Sequence, residues 1–234
     1  MGGELADERV RPALSLQRWD RVAFVHWRYR PDALRPHLPP GVRLQVIDGS
    51  AWVGLVPLVL HLRAPRLLGA PGWAELAELN VRTYVTDGQH DGLVFLRVHC
   101  ARRLVTAALR AGLGLPYAYV PGTAATRAGV TTWAMAGTCV AVEAGAPVVP
   151  DPLLTALTAR FSAFTRHAGA TWRVPVEHPP WPLHEARTLR LRTDVLCRTG
   201  LPDPQDDRPL AHWSPGVDVR VGAPRRAAPG RVAL

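Results

Sequence analysis

No lysine occurs anywhere in the 234 residues, so all 28 basic side chains are arginine. That absence removes Schiff-base catalysis by a lysine side chain and the lysine of a phosphate-binding P-loop. Cysteine is scarce as well. Cys100, Cys139 and Cys197 are scattered without CxxC spacing, which fits reduced thiols better than a disulfide framework or a zinc site. The longest apolar run, residues 55–62, is interrupted by Pro57 and His61 and is too short to cross a bilayer. The N-terminal MGGELADERVRPALS lacks the apolar core of a signal peptide. A cytoplasmic protein with no membrane partner is the expectation. HxH, HExxH and GxSxG patterns are missing too, and His178 and His184 stand six apart across prolines. No metal and no cofactor are therefore expected, nor a serine triad, since Ser162 falls in a predicted helix.

What is present reads as one globular domain. Hydrophobic residues make up 47% and charged residues 20%, ordinary for a soluble fold. Residues 1–15 read as a flexible arm, 16–221 as the domain and 222–234 as a disordered tail. The formal charge is +9, but the arginines are spread out and no nucleic-acid-binding signature accompanies them, so nucleic acid is an unlikely partner. Strand-like segments outnumber helical ones about three to one. The expectation is an α+β domain, mainly antiparallel and barrel-like, with a few flanking helices. Oligomeric state stays open, with a homo-oligomer among the options.

Residues 78–120 hold the densest set of candidates. Residues 80–85 and 94–99 alternate with period two around an Asp-Gly-rich turn, which predicts a hairpin. Symmetric pairing would set Asn80 against His99, Arg82 against Arg97 and Tyr84 against Phe95. Opposed arginines repel unless something lies between them, and a bound carboxylate would fit there; the alternative is a solvated face. A helix over residues 102–112 follows, with Leu104, Ala107, Ala108 and Leu109 as its buried side and Gly112 and Gly114 as its stop. Earlier, residues 19–30 alternate as a strand with His26 on one face and Trp27 on the other. Later, Asp151 and Pro152 start a helix predicted to run to about His167. The run His178-Pro179-Pro180-Trp181 makes a rigid turn.

Six segments, VHWRYRPDALRPHLPPGV, DGSAWVGLVPL, ELNVRTYV, GLPYAYV, EHPPWPL and HWSPGVDV, in this order over residues 19–219, resemble the YqjF-like bacterial domain of unknown function, within the acetoacetate decarboxylase-like superfamily. The resemblance implies a β-barrel-like fold around a small-molecule cavity and no known reaction. Acetoacetate decarboxylases carry a Gly-aromatic-Pro-Lys run whose lysine forms the Schiff base. Here the similar run is Gly114-Leu115-Pro116-Tyr117, which puts Tyr117 where that lysine would be.

The candidates are weighed accordingly. Tyr117 is read as a general acid or hydrogen-bond donor to a carbonyl, with Arg82 and His99 completing the catalytic set. Arg97, Tyr84, Asn80, His26, Trp27, Glu78, His178 and Trp181 are read as substrate-binding, Glu78 also as a base. For each, a packed or solvated role is the competing reading. The function expected is a pocket, read as that of an enzyme acting on a small carboxylate or keto compound by non-covalent acid-base chemistry such as cyclisation, isomerisation or dehydration. The alternative is a protein or sensor that binds a small ligand without turning it over.

Overall fold

Period-two alternation dominates this chain, and the computed structural model accordingly builds one large, mainly antiparallel sheet with few helices. Residues 5–63 and 74–227 are described. The loop expected at 63–72 lies, from residue 64 onward, outside them, as do residues 228–234 of the expected tail. In chain order the elements are β1 (Ser15–Tyr29), α1 (Pro31–Leu34), β2 (Arg43–Leu44), β3 (Ala51–Arg63), β4 (Ala74–Thr86), β5 (Asp91–Cys100), α2 (Arg103–Leu113), β6 (Tyr117–Tyr119), β7 (Gly122–Arg127), β8 (Val130–Met135) and β9 (Thr138–Pro147). Then come α3 (Pro152–Thr158), β10 (Ser162–His167), β11 (Ala170–Glu177), β12 (His184–Thr193), α4 (Val195–Arg198), β13 (Leu210–Val221) and β14 (Arg225–Arg226).

Seven strands close into a ring. The order β11-β10-β5-β4-β3-β1-β13 returns to β11 through the short pairing of Val176 with Val221 and Glu177 with Arg220. Its inward residues, among them Val22, Phe24, Val56, Leu58, Val98, Val174, Val217 and Val219, form the first core. From β13 the sheet continues through β12, β9, β8 and β7 and covers the outer face of β1, β3 and β4. Trp133, Met135, Val140 and Val142 there meet Ala23, Val25, Trp27, Val53, Leu55, Leu79 and Val81 in a second core. Strands β1, β3 and β4 are thus buried on both faces.

Helix α2 seats Val105, Leu109 and Leu113 against the first core, residues four apart on one helical face. The face expected from the sequence was rotated from this one: Leu104 is 86% exposed, and Ala107 and Ala108 are exposed as well. α2 ends at Gly114, left-handed at φ 65°, and the chain turns at Leu115-Pro116 into β6, which lies parallel to β5 with Tyr117 beside Val98. The helix expected to reach His167 stops at Thr158. Asp151 caps it, Oδ1 accepting from the Leu154 N–H at 2.7 Å, but Ser162–His167 is strand β10, parallel to β5. The segment ahead of β1 is held to the ring: Val10 is buried, its N–H donates to Glu177, and Glu8 pairs with Arg173 and Arg225.

Candidate functional site

The hairpin β4–β5 positions the site, and its register depends on one residue. Glu78 pairs with Cys100, Asn80 with Val98 and Val81 with Arg97, but Arg82 pairs with Phe95 and Tyr84 with Leu93. Leu96 is the extra residue, a β-bulge in β5. The true register therefore differs by one residue from the symmetric one near Asn80 and by two near Tyr84. A one-residue slip sends every side chain to the other face. Asn80 does not face His99, and Arg82 does not face Arg97. Tyr84 does not face Phe95 either.

The consequence is a clean division of the candidates. Glu78, Asn80, Arg82, Tyr117, His178 and Trp181 all line one enclosed cavity inside the ring. It holds about 50 Å³ of accessible space, room for a few waters or an acid of a few heavy atoms. Tyr84 and His26 stand just behind the wall. Arg97, His99 and Trp27 face away: Trp27 belongs to the second core, and His99 feels Arg97, Asp194 and Arg198 on that outer side. The catalytic reading of His99 and the binding readings of Arg97 and Trp27 do not fit this placement.

Glu78 is the unusual group. It is 6% exposed, its Oε2 has no hydrogen-bond partner among the described residues, and burial pushes its carboxyl up to about 8 while the Tyr117 hydroxyl beside it acts in the opposite direction. A carboxylate in an apolar wall is favoured in its neutral form. Tyr117 is held well above the ordinary tyrosine range, first by burial and then by the Glu78 charge. The Asn80 Oδ1, next along the strand, is also unpartnered.

Arg82 occupies the other end of the same strand face. It is 5% exposed. Nη2 donates to the Leu157 carbonyl at 3.3 Å, Nε has no hydrogen-bond partner among the described residues, and the guanidinium carbon lies 5.5 Å from the Phe24 ring centroid and 6.0 Å from that of Tyr84. Among the described residues no carboxylate forms an ion pair with it. Behind it, Tyr84 hydroxyl and His26 Nε2 are 2.6 Å apart, and burial, with help from Arg82 and His212, holds His26 well below the usual imidazole range. This pair needs Gly54 opposite it, since a Cβ there would stand 3.0 Å from the Tyr84 hydroxyl oxygen and 3.1 Å from the His26 ring.

An aromatic group forms the far wall. Trp19 stacks on Trp181 with centroids 6.2 Å apart, Phe24 meets Trp181 edge-on at 5.0 Å, and His178 lies 5.1 Å from Trp181. Trp181 Nε1 donates to the Thr158 carbonyl, and His178 is lowered by burial. Among the lining residues that the sequence reading missed are Gln17, Trp19, Thr158, Arg160 and Ser162. Arg160 and Ser162 were hidden because the helix was carried through them; the alternation in SAFTRH is the signal that would have found the strand. Among the described residues no three His, Cys, Asp or Glu side chains converge as a metal shell, and no helix is long and apolar enough to cross a membrane.

Residues 16–218 match the DUF2071 family, described as an uncharacterized conserved protein. The uncharacterized protein YqjF of Bacillus subtilis (strain 168) is 28% identical over 214 residues, 87% of this chain and 88% of the relative. Among solved structures, the enduracididine biosynthesis enzyme MppR complexed with pyruvate aligns with a TM-score of 0.65 at 13% identity, covering 95% of this chain and 94% of the other. Acetoacetate decarboxylase from Legionella pneumophila aligns at 0.62 and 10% identity, covering 94% and 90%. At such identities the likeness is one of fold.

Proposed function

The chain belongs to the DUF2071 family, and on that premise we propose that it is an enzyme that moves a proton on a small carboxylate or keto compound without forming a covalent intermediate. The observation that carries this reading is Glu78: a buried carboxyl raised to about 8, beside a buried tyrosine hydroxyl, in a cavity whose one arginine on the same strand has no carboxylate of its own among the described residues. A carboxyl tuned toward neutrality is suited to general acid-base work. The absence of lysine removes the imine route.

In this reading Arg82 binds the substrate carboxylate, and the Tyr117 hydroxyl donates to the keto oxygen. The ionised fraction of Glu78 takes a proton from the carbon next to the carbonyl. Charge moves from that C–H bond onto the keto oxygen, giving an enolate that Tyr117 stabilises. Return of the proton to another atom is isomerisation; loss of hydroxide from the neighbouring carbon is dehydration; attack of the enol on an electrophile in the same molecule is cyclisation. The pyruvate bound to MppR supports a 2-keto acid of this size. Trp19, Phe24 and Trp181 exclude water from the reacting carbon, which strengthens each of these interactions.

The test is hydrogen exchange. Pyruvate in heavy water should lose its methyl proton signal with the protein present, and borohydride should leave no adduct mass on the chain. Tight binding without exchange would favour the alternative, a binding protein or sensor; a side-chain adduct would refute the non-covalent route.

A further inference from the structure

We propose that Arg160 and Arg82 together form a seat for a single carboxylate, so that the cavity selects a small monoanionic acid over both its neutral amide and a dianion of the same size. This rests on the reading above that the cavity binds a carboxylate, and adds its charge class.

Arg160 enters the cavity from the turn between α3 and β10. It is 5% exposed, its Nε donates to the Ala156 carbonyl at 2.6 Å, and its Nη1 lacks a hydrogen-bond partner. Its guanidinium carbon lies 5.4 Å from the Tyr84 ring centroid, the same ring that Arg82 approaches at 6.0 Å. Two guanidinium groups, both buried, therefore lie against one buried aromatic ring. Each keeps a nitrogen without a hydrogen bond, Arg82 Nε and Arg160 Nη1. A buried cation without its counter-charge is destabilising, and an anion between the two would give both nitrogens an acceptor.

Counting charge around this point limits the anion to one. Arg82 and Arg160 contribute two positives. Asp91 Oδ2, 3.5 Å from Arg160 Nη1, answers one of them. Arg173, next along, is already answered by Glu8 at 2.6 Å and donates to Ser162 Oγ. Asp7 sits on the exposed arm and is the last-ranked influence on Arg160. His26 and His178 are held neutral by burial, and Glu78 is mostly protonated near pH 7. One positive charge remains. A monocarboxylate closes the balance, a neutral ligand leaves it open, and a dianion reverses it against Glu78 and Asp91.

Calorimetric titration at pH 7 with pyruvate, pyruvamide and oxalate separates the cases, because the three are of equal size and carry one, no and two negative charges. Wild-type protein should bind pyruvate at least about tenfold tighter than either of the others, the scale of a charge-assisted hydrogen bond. Arg160→Gln should weaken pyruvate by about tenfold or more. Asp91→Asn keeps both arginines and removes the carboxylate paired with Arg160, leaving two positives uncovered, so it should shift the pyruvate-to-oxalate preference toward oxalate by about tenfold; this variant decides the matter if Arg160→Gln does not fold. Equal binding of pyruvate and pyruvamide, or an unchanged preference in Asp91→Asn, overturns the proposal. Pyruvate binding that survives Arg160→Gln and fails in Arg82→Gln reduces the seat to Arg82 while the reading of the site stands. Failure of all three ligands to bind at about 20 mM removes that reading as well.

Discussion

The two faces of β4 carry opposite kinds of residue within one strand. Toward the ring interior stand Glu78, Asn80, Arg82 and Tyr84, all buried and polar, and three of them have side-chain atoms without partners. Toward the outer layer stand Leu79 and Val81, packed in the apolar second core with Trp133 and Val140. Both faces are sealed from water, so burial alone does not distinguish them. What differs is the strand's own side chains: those facing inward are ionisable or polar, and Leu79 and Val81, facing outward, are aliphatic. Burying a carboxyl, an amide and a guanidinium on one strand face with open hydrogen-bonding atoms costs stability, a cost that a ligand bound between them would offset. The outer face packs the two layers together; the inner face is where the proposed chemistry would take place.

The comparison is broken most sharply by exchanging a group on the inner face. Glu78→Gln keeps the shape and removes the titrating proton, and should lower turnover by roughly 10²- to 10⁴-fold, the usual contribution of a general acid or base; His99→Gln, on the outer side, should leave it within about twofold. Proton exchange on pyruvate measures both. On the outer face, Trp133→Ala removes the largest fully buried side chain and should cost about 3–5 kcal/mol in denaturant unfolding. An enzyme that lost exchange but no stability on that change would contradict the division of labour.

Glu78 also links the two kinds of effect through pH. Its carboxyl is raised in the folded state, from 4.5 to about 8, so the folded protein holds the proton more tightly than the unfolded chain does. Relative to Glu78→Gln, the wild type should be most stable below about pH 4.5, lose about 1.4 kcal/mol per pH unit between there and about pH 8, and change no further above it. The whole difference is about 5 kcal/mol. Tyr117→Phe removes the neighbour that lowers this value, so the wild-type upward limb of the exchange rate near pH 8 should move to higher pH. The smallest effect belongs to Arg97→Ala: away from the cavity and half-buried, it should leave pyruvate affinity unchanged and stability within about 0.5 kcal/mol.

Much of this was legible in the residues. The alternation of 80–85 and 94–99 placed a hairpin, the six ordered segments placed the family, and Gly114-Leu115-Pro116-Tyr117 placed a tyrosine over the cavity, because Gly114 ends α2 in the left-handed conformation and the proline turns the chain. Facing was harder to read. Leu96 carries no mark of a bulge, being an ordinary apolar residue in an alternating run, yet it moves Arg97 and His99 to the outer layer. Arg160 was missed for a related reason: a good N-cap at Asp151 shows where a helix starts, but nothing in Leu157-Thr158-Ala159 shows plainly where it stops. The helix breaks there because Phe161, Ala163 and Phe164 are drawn into the apolar interior on a strand, a tertiary demand that local patterning does not contain.

The protonation of Glu78 is the point on which the account turns. With glutamate labelled at the side-chain carbonyl carbon, the resonance that disappears in Glu78→Gln can be followed by ¹³C NMR from pH 4 to pH 10. A midpoint near 8, moving upward in Tyr117→Phe, is the predicted result; a midpoint in the ordinary carboxylate range near 4.5 would contradict the account.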